Sequence, residues 1–227
     1  MAGMIEPFRV AIPQADLDDL DQRLRRTRWP REIGDNTAWQ AGMNLAWMRE
    51  LIDYWLNTYD WRAQEAAINA LPQFRTILDD VPVHFVHVKG KGPNPMPLVI
   101  NHGWPWTFWD MRKIIGPLTD PAAHGGDPAD AFEVIAPSLP GFAFSSPLEA
   151  EGMFFNPTAD LWVKLMARLG HHRFAAQGGD IALDHIQPDT PARQVGDLFG
   201  GRKTRLKHQS INIGVAQVLA GFDQAAL

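Results

Sequence analysis

One stretch of this chain decides its fold: Phe174-Ala175-Ala176-Gln177-Gly178-Gly179-Asp180-Ile181-Ala182. An apolar run ends at two glycines, Asp180 follows, and the small residue Ala182 stands two positions later. Small residues on both sides of an aspartate are typical of a sharp turn from a strand into a helix, because such a turn brings two pieces of backbone close together. The stretch therefore predicts Asp180 as a nucleophile held outward at the end of a sheet. An ordinary turn with a solvated aspartate has the same short pattern.

The composition is that of an ordinary globular protein, since 45% of the 227 residues are apolar and 21% are charged. The net charge of -5 argues against a nucleic-acid partner, because nucleic-acid binders depend on phosphate contacts. The chain has no cysteine, which excludes disulfides and thiolate chemistry. It has no basic-then-apolar leader and no apolar run long enough to span a bilayer, so we expect a cytoplasmic protein without a membrane partner. We also predict no cofactor and no metal.

The first part of the chain has the periodicity of helices. A helix is predicted over 16–28, with leucines on one face, aspartates in its first turn and arginines in its last. A second helix is predicted over 45–58, and a third follows Asp60, which is a suitable N-cap. We therefore predict an N-terminal helical extension over residues 1–71.

After Pro72 the pattern changes to strands that alternate with helices. Strands joined by helices form parallel sheets with right-handed crossovers, so we predict an α/β fold with a partial parallel sheet over residues 72–187. Residues 188–227 form a divergent tail whose structure the pattern does not predict. The predicted strands are 74–78, 83–88, 98–100, 132–136 and 174–177, and the predicted helices between them are 106–115 and 157–169.

Two motifs follow predicted strands directly. His102-Gly103-Trp104 follows the strand at 98–100, and Gly179-Asp180-Ile181 follows the strand at 174–177. Chemistry in a parallel sheet lies at the carboxyl ends of its strands. Both motifs are therefore expected at the same edge of the sheet.

Two histidines lie within the strand predicted over 83–88. His84 and His87 differ in parity, so their side chains are expected on opposite faces of the sheet. We therefore predict that they do not share a metal, and that each is a surface residue or a residue with satisfied hydrogen bonds.

A series of short motifs runs in order along the chain: Pro7-Phe8, Ile12-Pro13, Thr27-Arg28-Trp29-Pro30, Tyr54-Trp55, Tyr59-Asp60-Trp61-Arg62, Asn69, Pro72-Gln73-Phe74, His84-Phe85, His102-Gly103-Trp104-Pro105, Pro137-Ser138-Leu139-Pro140-Gly141-Phe142 and Gln177-Gly178-Gly179-Asp180. Together they resemble the microsomal-type epoxide hydrolases of the α/β-hydrolase fold, including the helical N-terminal extension of that family. Each motif alone is weak, but their order and spacing from Pro7 to about His185 are specific. The resemblance implies that the sheet is part of an α/β-hydrolase sheet.

The resemblance implies that Asp180 opens a small-molecule epoxide. A carboxylate suits attack on a saturated carbon because the product is an alkyl ester, whereas attack on an ester would give an anhydride. The backbone N–H groups of Trp104 and Ile181 would form the oxyanion hole when that ester is hydrolysed. The resemblance implies no cofactor. The residues expected to contact substrate are His102, Gly103, Pro105 and Trp106.

The resemblance also indicates what the chain lacks. In the family, a cap domain supplies paired tyrosines that polarise the epoxide oxygen, and a late histidine with an acidic partner activates the hydrolytic water. Here the tyrosines are Tyr54 and Tyr59, both in the helical extension, and His208 has no matching motif around it. We therefore expect a chain truncated relative to the family, with slow ring opening and no hydrolysis of the ester.

Other interpretations stay open. A non-catalytic remnant or interaction protein of the same fold would carry these motifs without reacting at Asp180. A haloalkane dehalogenase also uses an aspartate at this turn, but that family typically has tryptophan where Ile181 stands. The strand at 174–177 would normally be covered by later strands, so we predict self-association through an uncovered sheet edge.

Overall fold

The computed structural model describes residues 4–37 and 39–178. Three parts of the sequence analysis lie outside the described residues: the predicted nucleophile Asp180, its neighbour Ile181 and the tail 188–227. Predictions about these residues stay predictions.

The described residues separate into a helical unit and a sheet unit. The helical unit is residues 10–70, and the sheet unit combines residues 4–9 with residues 71–178. The helical periodicity predicted for the first part of the chain is confirmed. The helices of this unit are α1 (Gln14–Arg25), α2 (Leu45–Asn57) and α3 (Trp61–Ile68).

Polar side chains start two of these helices. Asn44 accepts a hydrogen bond of 3.0 Å from a backbone N–H in the first turn of α2, and Asp60 does the same for α3. Each cap satisfies an N–H group that has no partner within its helix. Helix α1 ends at Arg25, short of the predicted residue 28. There the Thr27 hydroxyl donates a hydrogen bond of 2.7 Å to the Leu24 carbonyl.

Side chains on and just after α3 hold the extended segment that precedes α1. Asn69 exchanges two hydrogen bonds of 2.8 Å with the backbone N–H and C=O groups of Val10. Glu65 accepts a hydrogen bond of 2.7 Å from the N–H of Ile12, and Arg62 donates one of 2.9 Å to the carbonyl of the same residue. The segment thereby obtains from a helix the hydrogen bonds that a second strand would otherwise supply.

The described part of the sheet unit has six strands, β1 (Glu6–Phe8), β2 (Gln73–Leu78), β3 (Val81–Val88), β4 (Met96–Asn101), β5 (Phe132–Pro137) and β6 (Ala175–Gly178), in the order β1-β2-β3-β5-β4-β6. Strand β4 runs parallel to both of its neighbours, β5 and β6. The other pairs, β1 with β2, β2 with β3 and β3 with β5, are antiparallel. The predicted α/β class is confirmed, as a mixed sheet.

Strand β3 departs from the parallel series in which the sequence analysis placed it. Only residues 89–95, without a helix, connect β3 to β4. A crossover between parallel strands needs a dozen or more residues, so this connection reverses the chain direction instead. Strand β5 then inserts between the two, antiparallel to β3 and parallel to β4.

Two helices, α4 (Arg112–Thr119) and α5 (Phe155–Arg168), belong to the sheet unit. The buried face of α5 carries Leu161, Leu165 and Met166, at the spacing that the sequence predicted. Full burial of each such side chain contributes about 2 kcal/mol. The core that α5 shares with one face of the sheet consists of Leu78, Val81, Val83, Phe85, Val99, Ile135, Leu161, Trp162, Leu165 and Met166.

His84 is fully buried in β3 and ties that strand to the loop after β5. Its Nε2 lies 3.1 Å from Gln73 Oε1, and because an amide oxygen only accepts, Nε2 is the donor. Its Nδ1 therefore accepts a hydrogen bond of 2.9 Å from the Ser138 hydroxyl. The ring is neutral in this arrangement. Burial, with a smaller contribution from the Arg75 guanidinium, lowers the pKa of His84 to about 3.

The lowered pKa of His84 predicts acid sensitivity. The unfolded chain binds a proton at His84 below its ordinary pKa of 6.5, while the folded chain does so only near 3, so unfolding becomes easier as the pH falls through this window. We expect the free energy of unfolding to fall by about 3 kcal/mol between pH 7 and pH 4.5 from this residue. Burial lowers the pKa of His87 as well, which adds to the same slope.

Urea unfolding between pH 7 and pH 4.5 measures how the free energy of unfolding depends on pH. Nitrogen NMR of the histidine rings shows which histidine gains a proton in this range. A His84 ring that stays neutral at pH 5 agrees with the prediction. A ring that gains a proton above pH 5 while the protein is folded contradicts it.

Candidate active site

The carboxyl ends of three neighbouring strands meet at one edge of the sheet. Strand β4 is parallel to β5 on one side and to β6 on the other, so the chain leaves all three strands in the same direction. In this register Asn101, the last residue of β4, lies opposite Gly178, the last residue of β6. The loop that begins at His102 therefore starts beside the point where the chain continues toward Asp180.

The loop after β4 contains the residues predicted to contact substrate. Its first two residues, His102 and Gly103, are buried. Its next three are exposed, with 62% of the surface of Trp104 and 59% of that of Trp106 accessible. A hydrogen bond of 2.9 Å from the N–H of Trp106 to the carbonyl of Gly103 closes the turn, which contains a cis peptide bond before Pro105.

His102 connects this loop to the loop that follows β5. Its Nε2 accepts a hydrogen bond of 3.0 Å from the backbone N–H of Leu139, so this nitrogen carries no proton. The proton is on Nδ1, which donates a hydrogen bond of 3.0 Å to the carbonyl of Gly103. Only 2% of the His102 surface is exposed. One buried ring therefore fixes two loops of the same edge relative to each other.

The helix predicted over 106–115 begins later in the structure. A 3₁₀ turn spans Phe108–Met111, and α4 follows it. Thr107 starts this turn as a capping box, in which its N–H donates a hydrogen bond of 2.9 Å to Asp110 and its hydroxyl accepts one from the first turn. Because the helical conformation starts only after this cap, Trp106 stays in the loop with an exposed side chain.

Asn101 has a position that the sequence analysis did not recognise. Its side-chain oxygen is buried and has no hydrogen-bond partner among the described residues. The available signal was a polar side chain at the end of the apolar run Leu98-Val99-Ile100, at the predicted functional edge. On the facing strand, a methyl group added to Gly178 would lie 3.4 Å from Asn101 Cβ, at the near edge of ordinary contact. The space beside β4 would therefore accommodate a small side chain at position 178.

The sheet and its edge define the class of protein, which is the α/β-hydrolase fold. The structure of Aspergillus niger epoxide hydrolase matches with a TM-score of 0.69 and 30% sequence identity, over 80% of this chain and 47% of that one. The crystal structure of juvenile hormone epoxide hydrolase from the silkworm Bombyx mori matches with a TM-score of 0.69 and 26% identity, over 78% of this chain and 47% of that one.

The sequence comparisons then show which proteins the chain resembles. Residues 5–111 match the family described as Epoxide hydrolase N terminus. The chain is 46% identical over 191 residues to a Stigmatella aurantiaca (strain DW4/3-1) protein named "Putative epoxide hydrolase". It is 38% identical over 180 residues to Epoxide hydrolase 1 of Oryctolagus cuniculus. Residues 5–111 therefore carry the N-terminal part of an epoxide hydrolase, and the chain is similar to epoxide hydrolases over about four fifths of its length, as its motifs predicted.

The chain spans less than half the length of these relatives. The matched segments are 81% and 78% of this chain but 43% and 39% of the Stigmatella and Oryctolagus proteins. Within residues 4–37 and 39–178, the helices are all too short or too polar to cross a bilayer.

The buried contact between His102 and Leu139 predicts a stability cost when the acceptor is removed. His102→Leu keeps a side chain of similar bulk but leaves the Leu139 N–H without its acceptor, and we expect a loss of about 2 kcal/mol. Urea unfolding measures this loss. His124→Leu, at an exposed histidine, is the matched control and should change stability by less than about 0.5 kcal/mol. Equal effects of the two substitutions would contradict the assigned role of His102.

Proposed function

We propose that this chain carries the nucleophilic half of an epoxide hydrolase, with Asp180 as the nucleophile. The supporting observation is the pairing of Asn101 with Gly178, from which the loop containing Trp104 and the chain leading to Asp180 depart side by side. The match of residues 5–111 to the Epoxide hydrolase N terminus family, and the similarity to a protein named "Putative epoxide hydrolase", support the assignment of the substrate as a small-molecule epoxide.

In the proposed reaction an Asp180 oxygen forms a bond to a ring carbon of the epoxide. The ring C–O bond breaks, and the ring oxygen keeps the electron pair and takes up a proton from water. The product is an alkyl ester of Asp180, because the attacked carbon is saturated. Water then attacks the ester carbonyl, and its hydrolysis releases a diol and restores the carboxylate.

The loop after β4 would serve this second step. We assign the backbone N–H groups of Trp104 and Ile181 to the oxyanion that forms during ester hydrolysis. The exposure of Pro105 and Trp106 suits contact with substrate. His102 is buried with both ring nitrogens bonded, so its part in the site is to hold the loop in place.

We propose that this chain opens the epoxide slowly and does not hydrolyse the resulting ester. The sequence offers no tyrosine outside the helical extension and no recognisable general base after Asp180. Without a base to activate water, the alkyl ester would accumulate and each chain would react once. Without paired tyrosines on the ring oxygen, ring opening would also be slow.

Reaction with styrene oxide tests the proposal directly. Intact-mass spectrometry of the quenched reaction should show one adduct of the mass of styrene oxide, and peptide mapping should place it on Asp180. Asp180→Asn should abolish the adduct, because the amide oxygen is a poor nucleophile, whereas Asp184→Asn, four residues later, should leave it unchanged. An adduct that persists in Asp180→Asn would overturn the assignment.

The absence of any adduct in the wild-type chain would favour the alternative, a non-catalytic remnant or interaction protein of the same fold. Steady multiple turnover would contradict the proposed lack of ester hydrolysis, but it would be consistent with Asp180 as the nucleophile.

We also propose that the chain self-associates through β6 and that it resides in the cytoplasm. In the described part of the chain, β6 pairs with β4 and with no other strand. A strand with one unpaired side presents N–H and C=O groups to a second chain.

Light scattering over increasing concentration should therefore show species heavier than 25.4 kDa. Gln177→Lys places a charge on β6, and we expect it to shift the distribution toward the monomer. A wild-type chain that stays monomeric throughout would contradict the association.

A further inference from the structure

A group of three metal-ligating side chains lies away from the candidate active site. It consists of His87 in β3, Glu133 in β5 and His171 in the turn between α5 and β6. Glu133 is the second residue of β5, so this group lies toward the amino end of the parallel strands, whereas the His102 loop follows their carboxyl ends. None of the three has a part in the proposed epoxide chemistry.

The three side chains already converge on one atom. Glu133 Oε1 lies 2.6 Å from His87 Nε2 and 3.0 Å from His171 Nε2. One ligand atom from each residue lies within 4.8 Å of the others. A tetrahedral ion with bonds of about 2.0–2.1 Å holds its ligand atoms about 3.3 Å apart, so rotations that move these atoms by about 1 Å suffice to surround an ion.

The protonation states suit a cation. Burial tends to raise the pKa of Glu133, but hydrogen bonds from Lys89, His87 and His171 outweigh it and lower the pKa to about 2. Burial lowers the pKa of His87. At neutral pH the site therefore offers a carboxylate and a neutral imidazole, the forms that bind metal ions.

The burial of the group also suits a built site. The side chains of His87, Glu133 and His171 are 12%, 10% and 17% exposed. They come from separate stretches of the chain, and the fold holds their side chains close together. The small remaining exposure leaves one side open for a water molecule as a further ligand.

We propose that His87 Nε2, Glu133 Oε1 and His171 Nε2 form a binding site for Zn²⁺ or a divalent transition-metal ion of similar preference. Two imidazole nitrogens and one carboxylate oxygen are a ligand set that zinc favours, with water in the fourth position. When the ion binds, each imidazole carries its proton on Nδ1 instead of Nε2, so Nε2 contacts the ion in place of its hydrogen bond to the carboxylate. It joins β3, β5 and the turn before β6, so its binding stabilises the folded sheet unit.

Lys89 competes with a metal ion for the carboxylate of Glu133. Its ammonium group lies 2.5 Å from the same Glu133 oxygen, while its side chain is 71% exposed and free to swing into solvent. An ion bound at Glu133 must displace this ammonium. Removal of the Lys89 charge therefore tightens metal binding, an effect that a surface site elsewhere on the chain would not show.

The test uses the full chain without an affinity tag, freed of metal with EDTA. Calorimetric titration with ZnCl₂ should give one ion per chain at the tightest site, and Co²⁺ should give the visible absorption of a four-coordinate ion. His87→Gln and His171→Gln should each weaken Zn²⁺ binding at least roughly tenfold and reduce the Co²⁺ absorption. Lys89→Met should tighten binding, and Zn²⁺ should raise the melting temperature of the wild-type chain.

His172→Gln is the matched control, because this exposed histidine is adjacent to His171 in the chain. It should leave the affinity unchanged. The proposal is overturned if the wild-type chain gives no four-coordinate Co²⁺ spectrum. It is also overturned if His171→Gln binds Zn²⁺ as tightly as the wild type, or if Lys89→Met leaves the affinity unchanged. Circular dichroism of each variant confirms that it is folded.

Discussion

The parallel pairing of β4 with both of its neighbours is the constraint on which the candidate active site depends. Parallel strands end at the same edge, so the chain leaves β4, β5 and β6 side by side. If β4 were antiparallel to β6, the loop containing Trp104 and the chain after Gly178 would start at opposite ends of the sheet. The register that pairs Asn101 with Gly178 therefore supports the proposed site, in which the Trp104 loop and Asp180 act on the same ester.

Two buried histidines complete this edge by the same physical means. His84 accepts a hydrogen bond from the Ser138 hydroxyl, and His102 accepts one from the N–H of the next residue, Leu139. A neutral imidazole is a good acceptor in the interior, because a buried carboxylate in the same place would add a large desolvation cost. The loop after β5 is therefore held by a residue of β3 and by a residue of the loop after β4, without burying a charge. His87 differs from these two histidines because its partner is a charged group, the carboxylate of Glu133. That carboxylate also forms an ion pair with the exposed Lys89.

Much of the secondary structure followed from local patterns. The Asp60 cap and the leucine spacing of α5 are local features, and the predicted helices are present. The start of the helix predicted over 106–115 was wrong, because the Thr107 capping box and the turn before it delay the helix and apolar spacing does not encode either. The direction of β3 was missed because strand direction depends on which strands pair.

The sequence by itself determined the resemblance to epoxide hydrolases and the α/β class, and it predicted the residues of the candidate site, since these are carried by motifs of a few residues and by periodicity. Only the tertiary structure decided that His102 bonds Leu139, that Asn101 lies opposite Gly178 and that Glu133 stands between two histidines. These contacts join residues that are far apart in the chain. Their geometry is set by strand order and register, which no single stretch of sequence contains.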